Sequence, residues 1–242
     1  MQISIIIPTY NEAKHIQHLV THLKSHADER LREVIVIDGG SNDETVALSE
    51  KSGAKVCLCL EPDRAKQMNC GAMIASGEIL HFIHADTIPP TTFLNDIENA
   101  VLSGYPMGCY RSCFDSEKAL LKFNAWLTRF KYICFRGGDQ TLFITKKVFN
   151  DLHGYDENYT IMEEYDLLRR AKKKYRFKIL DKGVLISARK YDNNSYLKVN
   201  VANALAMFLF LVKCKPEMIK KIYIRLLNSY SFGELKSVTN HG

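Results

Sequence analysis

Alternating strand and helix signals point to an α/β fold, a mostly parallel sheet flanked by helices, and three observations carry that expectation. Apolar runs of strand length recur at 3–7, 33–37, 55–60 and 79–83. Segments with apolar residues at helical spacing separate them, at 12–26, 43–51 and 64–75. The resulting βαβαβαβ order closes most simply into parallel strands covered by helices.

The first strand, Ile3 to Ile7, stops at a proline, and Pro8-Thr9-Tyr10-Asn11-Glu12 delivers polar side chains just beyond its carboxyl end. Ligands of open α/β sheets bind outside the carboxyl ends of parallel strands, so this segment is placed to meet a nucleotide base. The second strand closes on Asp38, and Gly39-Gly40 leave room for a ligand to approach the backbone. Asn42 or Asp43 is the expected N-cap of the second helix, while Gly53 and Gly77 are expected to end the second and third. The fourth strand runs into His84-Ala85-Asp86.

Beyond Asp86 the rhythm becomes mixed. Helices are expected over 91–102, 117–130 and 162–174, and strands over 108–114, 140–144, 177–180 and 184–188. Two amphipathic or apolar helices close the chain. The apolar run Leu205–Val212, between Asn203 and Lys213, is too short to span a bilayer. It packs as a core helix or lies in a membrane interface, with Met207, Phe208, Phe210, Leu211 and Val212 beside Lys213, Lys215, Lys220, Lys221 and Arg225.

Composition narrows the function classes. With 242 residues and 46% hydrophobic content the chain can bury a sizeable core. There is no basic leader, and the run Ile5–Ile7 is too short for a signal peptide, so a cytoplasmic location is expected, at the inner face of the cell membrane if the closing helices touch lipid. Seven cysteines without Cys-x-x-Cys spacing argue against a structural metal or disulfides. The net charge of +6 is uneven: residues 167–225 hold sixteen Lys or Arg against Asp181, Asp192 and Glu217. That half should attract anions, namely a diphosphate or an acidic membrane surface. Nucleic acid is not expected as a partner, because no nucleic-acid module is recognisable. His15, His18, His22 and His26, and the basic run 169–178, read as solvated helix faces, whereas Arg189-Lys190 are better placed to meet a diphosphate.

Three acidic positions carry the chemistry: Asp38, Asp86 and the pair Glu163-Glu164. Two carboxylates at the carboxyl ends of neighbouring strands, beside a basic half-molecule, suit a nucleoside diphosphate with a divalent cation. Mg²⁺ or Mn²⁺ needs only one or two protein carboxylates there, because the phosphates supply further oxygens.

Four separated segments, in order, resemble glycosyltransferase family 2. Pro8 to Glu12 is similar to the family's opening, and Val36-Ile37-Asp38-Gly39-Gly40-Ser41-Asn42-Asp43-Glu44-Thr45 to its Asp-Asp-Gly-Ser-x-Asp-x-Thr element. His84-Ala85-Asp86 occupies the place of its Asp-x-Asp metal motif, and Glu163-Glu164 that of an acidic Glu-Asp pair opening a helix. The resemblance implies a GT-A type, Rossmann-like nucleotide-binding domain over 1–190, with a nucleotide-sugar-binding half (1–87) and an acceptor-binding half (88–190), and a helical extension over 191–242. It implies an inverting, metal-dependent transferase using a UDP- or GDP-sugar. Pro8, Thr9, Tyr10, Glu12, Asp38, Gly39, Arg64, His84, Ala85 and Arg189 would bind the sugar donor. Asp86 would hold Mg²⁺ or Mn²⁺, Glu164 beside Glu163 would be the catalytic base, and Gly138-Asp139-Gln140 would face an unnamed acceptor, a lipid-linked one being a candidate. Arg64–Ala72, His84–Thr87, Gly138–Gln140, Met162–Glu164 and Ser187–Arg189 also resemble a small bacterial subgroup labelled arsenosugar-biosynthesis-type transferases.

Three departures stand out: Gly39 where the family has a base-contacting Asp, His84 for the first Asp of the metal motif, and Glu164 for the usual Asp. They keep open a catalytically inactive nucleotide-sugar-binding or membrane-scaffold protein. A sugar-phosphate nucleotidyltransferase would want a glycine-rich, Arg-containing loop after the first strand, and Pro8 to Glu12 has no glycine.

Overall fold

The computed structural model describes residues 1–59, 61–136, 140–191 and 194–227, with backbone alone at 189 and 190. Its centre is β1 (Ile3–Thr9), every residue of which is buried. Such a β-branched run suits a strand covered on both faces. β1 pairs in parallel with β2 (Leu31–Asp38) on one side and β4 (Ile79–Phe82) on the other, and β3 (Lys55–Leu58) extends the parallel sheet beyond β2. Asp38 and Asp86 therefore flank β1 from two sides and do not lie on adjacent strands.

Strand alternation divides the core. Ile3, Ile5 and Ile7 face α1 (Ala13–Ser25) and α4 (Phe93–Leu102), while Ile6 faces α3 (Arg64–Ile74) on the opposite side. α2 (Thr45–Lys51) packs beside α1.

The sheet becomes mixed past β4. Its order is β3-β2-β1-β4-β7-β6-β8-β5, with β5 (Thr87–Ile88), β6 (Met107–Phe114), β7 (Leu142–Thr145) and β8 (Phe177–Ile186). β7 runs antiparallel to β4 and β6, and β8 parallel to β6. The two short strands expected over 177–180 and 184–188 form one strand, because a register shift between Cys109 and Arg111 absorbs the exposed stretch Asp181–Gly183. β5 and the short α6 (Lys146–Asp151) carry too few residues to show a period.

The helix caps depart in part from expectation. Glu44 occupies the N-cap of α2, while Asp43 Oδ1 accepts from Thr45 N at 3.0 Å. Gly53 ends α2 with φ +83°. α3 ends at Ala75, and Gly77 serves instead as a close-approach residue: a Cβ there would lie 2.7 Å from Ser4 N. All seven cysteines are free. His22 is half-buried, its Nε2 lying 2.8 Å from Pro89 O, so it is not solvated like the exposed His18 and His26. Arg169 and Arg170 are structural as well as basic: both hold the buried Asp166 (2.8 and 2.7 Å), and Arg170 also donates to Gly154 O.

The later helices are α5 (Ala119–Leu127), α7 (Glu163–Ala171), α8 (Tyr196–Leu211) and α9 (Pro216–Leu226). α8 packs Val199, Ala202, Ala206 and Phe210 against Tyr159, Ile161 and the α9 residues Ile219 and Tyr223. Met207 and Phe210, expected on an interfacial face, are therefore buried, whereas Phe208, Leu211 and Val212 are exposed. Among the described residues no helix is long and apolar enough to cross a membrane.

Candidate active site

The carboxyl ends of β1 and β4 open into a cavity of about 820 Å³, within the range of small-molecule sites. Pro8, Thr9, Tyr10, Glu12, Arg64, His84, Ala85, Asp86, Gln140, Glu163 and Glu164 all line it. Segments far apart in the chain thus meet around one cavity. Gly138 and Asp139 lie outside the described residues, as does the Arg189 side chain.

Asp38 and Gly39 do not line that cavity. Asp38 is fully buried, and its carboxylate accepts from Thr9 Oγ1 (3.1 Å), Gly40 N (2.9 Å), Ser41 N (2.7 Å) and Ser41 Oγ (2.5 Å). It shapes the loop after β2 and has little capacity left for a base. Gly39 is buried under the start of α3, where a Cβ would come within 2.9 Å of Pro62 Cα. An aspartate cannot occupy position 39 without moving that backbone, so the departure at Gly39 belongs to the packing.

The loops after β1 and β2 are tied to each other. Asn11, in the left-handed region at φ 54°, donates its N–H to Ser41 Oγ and accepts from Asn42 N, and Glu12 N donates to Thr45 Oγ1 at 2.8 Å. Beneath them Gln67 Nε2 donates to the carbonyls of Thr9 (2.8 Å) and Ile37 (2.7 Å), both at strand ends. This staple was not anticipated from sequence, although Gln67 lies within the 64–72 segment; only the two strand-end carbonyls show what it is for.

Beside Arg64 and His84 the lining is completed by the start of α7. Met162 precedes the helix with φ 72°, a left-handed conformation that costs a side-chain-bearing residue about 1 kcal/mol and clusters at functional sites. That turn brings Glu163 and Glu164 into the first helical turn, where the helix dipole favours negative charge. Both are buried, and Oε1 of each has no hydrogen-bond partner among the described residues. Arg64 Nη1 stands 3.8 Å from Glu163 Oε1, and His84 Nε2 stands 3.5 Å from Glu164 Oε1.

The pair splits its charge. Burial, then the neighbouring Glu164 charge, pushes the Glu163 carboxyl well above its ordinary value, with Arg64 opposing. Burial also acts to raise Glu164, but His84, Arg64 and Glu163 together outweigh it and hold that carboxyl below its ordinary value. Two adjacent buried carboxyls are thus driven in opposite directions, Glu163 toward its protonated form and Glu164 toward its ionised one. The departures at 84 and 164 meet in space, where the longer glutamate reaches the imidazole.

Gln140 is engaged within the protein: Nε2 donates to Phe135 O (2.7 Å), and Oε1 lies 3.4 Å from Cys109 Sγ. Arg136, also unanticipated, is buried at the end of α5 and donates to the carbonyls of Thr128 and Phe130. Among the described residues no three His, Cys, Asp or Glu side chains converge to hold a metal. The half-buried Asp86 alone suits a hard divalent cation that takes most of its oxygens from a diphosphate and water.

Residues 4–150 match the profile of Glycosyl transferase family 2. The chain is 25% identical over 181 residues to an uncharacterized glycosyltransferase of Rickettsia prowazekii, covering 68% of this chain and 57% of that relative. It is 29% identical over 96 residues to glucosyl-3-phosphoglycerate synthase of Mycobacterium tuberculosis, covering 36% and 30%. The chain therefore matches little more than half the length of the first relative and less of the second. Among solved structures, S. aureus TarS 1–349 superposes with a TM-score of 0.65 at 18% identity, over 93% of this chain and 70% of that one. The M. tuberculosis glucosyl-3-phosphoglycerate synthase in complex with Mn²⁺, UDP and glucosyl-3-phosphoglycerate gives 0.61 at 18% identity, over 85% and 79%. These likenesses establish the GT-A fold. With the family profile matching more than half of its residues, the chain belongs to glycosyl transferase family 2.

Proposed function

We propose that the protein is an inverting, metal-dependent glycosyltransferase that moves a sugar from a UDP- or GDP-sugar to an acceptor hydroxyl. The observation that carries this reading is the buried Glu164, whose Oε1 has no hydrogen-bond partner among the described residues and stands 3.5 Å from His84 Nε2, lining the same cavity as Asp86 and the loop after β1. A single displacement needs a base on the acceptor side and a stabiliser of the leaving group opposite, and Glu164 and Asp86 supply both.

Tyr10, Glu12, Arg64 and Ala85 form the sugar-donor wall, with Arg64 at the α3 N-terminus facing the diphosphate. Asp38 acts on the sugar donor through the loop it organises. Mg²⁺ or Mn²⁺ at Asp86 would neutralise charge building on the departing diphosphate. Glu164 Oε1 takes the acceptor proton as the hydroxyl oxygen bonds to the anomeric carbon; the bond from that carbon to the phosphate oxygen breaks, and its electron pair leaves with the diphosphate. His84 favours the ionised form of Glu164, and burial favours the protonated form of Glu163.

The division into a transferase body (1–190) and a helical extension (191–242) is part of this reading, with α8 lending Asn200 and Asn203 to the cavity wall. So are a cytoplasmic location and peripheral membrane contact through the C-terminal helices. The experiment is nucleoside diphosphate release from a panel of UDP- and GDP-sugars with Mn²⁺, followed by NMR of the product anomer. Release with inversion is expected. Tight nucleotide binding without release from any sugar donor, with or without candidate acceptors, would leave the inactive-binder reading.

A further inference from the structure

α8 is apolar on both sides. Its packed side lies in the core, but Leu197, Val201, Ala204, Phe208 and Leu211, spaced four, three, four and three residues apart, form a second stripe that faces solvent. α5 behaves alike: only Leu121 of that helix is buried, while Leu120, Phe123 and Trp126 are exposed. The two helices adjoin, since Asn124 Nδ2 donates to Asn200 Oδ1 (3.1 Å) and Tyr196 Oη donates to Asn124 Oδ1 (2.8 Å). Leu120 sits one turn before Asn124, and Leu197 lies between the seam residues Tyr196 and Asn200. An exposed apolar surface of this kind marks an interaction site.

We propose that this α5–α8 face docks on the surface of an anionic lipid bilayer. Charge selects the occupant. Residues 118–136 and 194–216 contain no Asp or Glu, and although Glu117, just before the first, pairs with Lys122, these segments add exposed Lys118, Arg129, Lys131, Lys213 and Lys215. A two-fold contact with a second copy would set this basic fringe against itself, whereas acidic headgroups complement it. Trp126 suits the interface: it stacks on Phe123 with centroids 6.0 Å apart, and the Arg129 guanidinium lies 5.2 Å above its ring. The 16-residue α8 is about 24 Å long, short of the ~30 Å hydrocarbon core, so it lies on the membrane and does not span it.

Docking has a consequence for the site. Phe208 and Leu211 of the stripe, with Leu127 of α5, also line the cavity. The cavity mouth then opens at headgroup level, where a hydroxyl carried by a membrane lipid reaches Glu164; this last step alone rests on the transferase reading.

Trp126 is the single tryptophan of the chain, so its emission reports on this face. The full chain, without sugar donor, is mixed with phosphatidylcholine vesicles with or without phosphatidylglycerol. Expected are a blue shift and quenching by bromine-labelled acyl chains with the anionic vesicles, both weakening as salt rises. Phe123→Ser with Leu197→Ser, at exposed positions away from the cavity wall, should weaken partitioning at least about tenfold with an unchanged melting temperature. Lys131→Glu with Lys213→Glu should remove the preference for anionic lipid. Unchanged emission and full recovery in the supernatant would overturn the proposal, as would a Trp126 shift that follows protein concentration without lipid. Because no sugar donor is present, failure here leaves the transfer chemistry standing, and absent transfer in vesicle-free buffer leaves the docking standing.

Discussion

The strand-end loops that back the cavity and the α7 start that lines it, its two walls, are finished differently. Around the ends of β1 and β2 the key polar groups are paired before any ligand arrives: the Asp38 carboxylate has four donors, Gln67 closes two carbonyls, and Asn11 links two loops. At the start of α7 the opposite holds. A left-handed methionine presents two buried carboxyls whose Oε1 atoms lack hydrogen-bond partners among the described residues. A prepaired wall is rigid and tolerates little change in shape, whereas an underpaired one is held in readiness for a group that completes it. Substitutions on the first wall should register mainly in stability, and those on the second mainly in turnover.

The largest effect is expected at the base. Glu164→Gln should lower kcat at least about a hundredfold with little change in sugar-donor affinity, since a base acts in the transition state. Steady-state kinetics on wild type, Glu164→Gln and Glu163→Gln will decide it. A greater loss from Glu163→Gln would move the base by one residue and undo the charge assignment within the pair.

Next in size is Asp86→Ala, which should remove the Mn²⁺-dependent part of nucleoside diphosphate binding and leave the melting temperature unchanged. Calorimetric titration of UDP and GDP with and without Mn²⁺ is the measurement. Equal affinity in both proteins would take Asp86 out of the metal site.

On the prepaired wall, Gly39→Asp restores the family's second aspartate but drives a Cβ to 2.9 Å from the Pro62 backbone. We expect destabilisation of about 1–3 kcal/mol, seen as a melting temperature lower by a few degrees, with no gain in affinity for uridine nucleotides. Tighter UDP binding at unchanged stability would show that this wall is softer than its packing implies.

The smallest effect is a pH dependence. The folded-state value of Glu163 is raised above the ordinary 4.5, chiefly by burial, so the folded chain holds a proton that the unfolded chain releases above that pH. Its stabilising contribution is complete below the ordinary value and is lost as pH rises through the folded one. Glu163→Gln removes this loss, so urea unfolding should show the variant gaining on wild type as pH is raised from 4 to 8. Parallel stability curves would mean that Glu163 is ionised in the folded chain.

Local patterning carried much of this reading. The isoleucine run of β1 announced a strand buried on both faces, and Pro8, Asp38 and Asp86 marked where strands end, because apolar period and turn chemistry are properties of neighbouring residues. The pair Glu163-Glu164 was visible as acidic residues at a helix start, whereas Arg64 stood out only through the resemblance to the family. What could not be read locally concerns contacts between distant segments. Asp38 looks like a ligand-binding carboxylate in the chain, yet in the fold it is enclosed by Thr9, Gly40 and Ser41. Gly39 looks like a lost function, yet Pro62 leaves no room for a side chain. His84 and Glu164, eighty residues apart, look like two separate defects and turn out to face each other. The run at 205–212 allowed either a core helix or an interfacial one, and α8 packs one face into the core while leaving the other exposed. Periodicity tells which residues share a side of a helix or strand; which side meets protein, solvent or ligand depends on what the rest of the chain brings against it, and burial and electrostatics act only once those neighbours are in place.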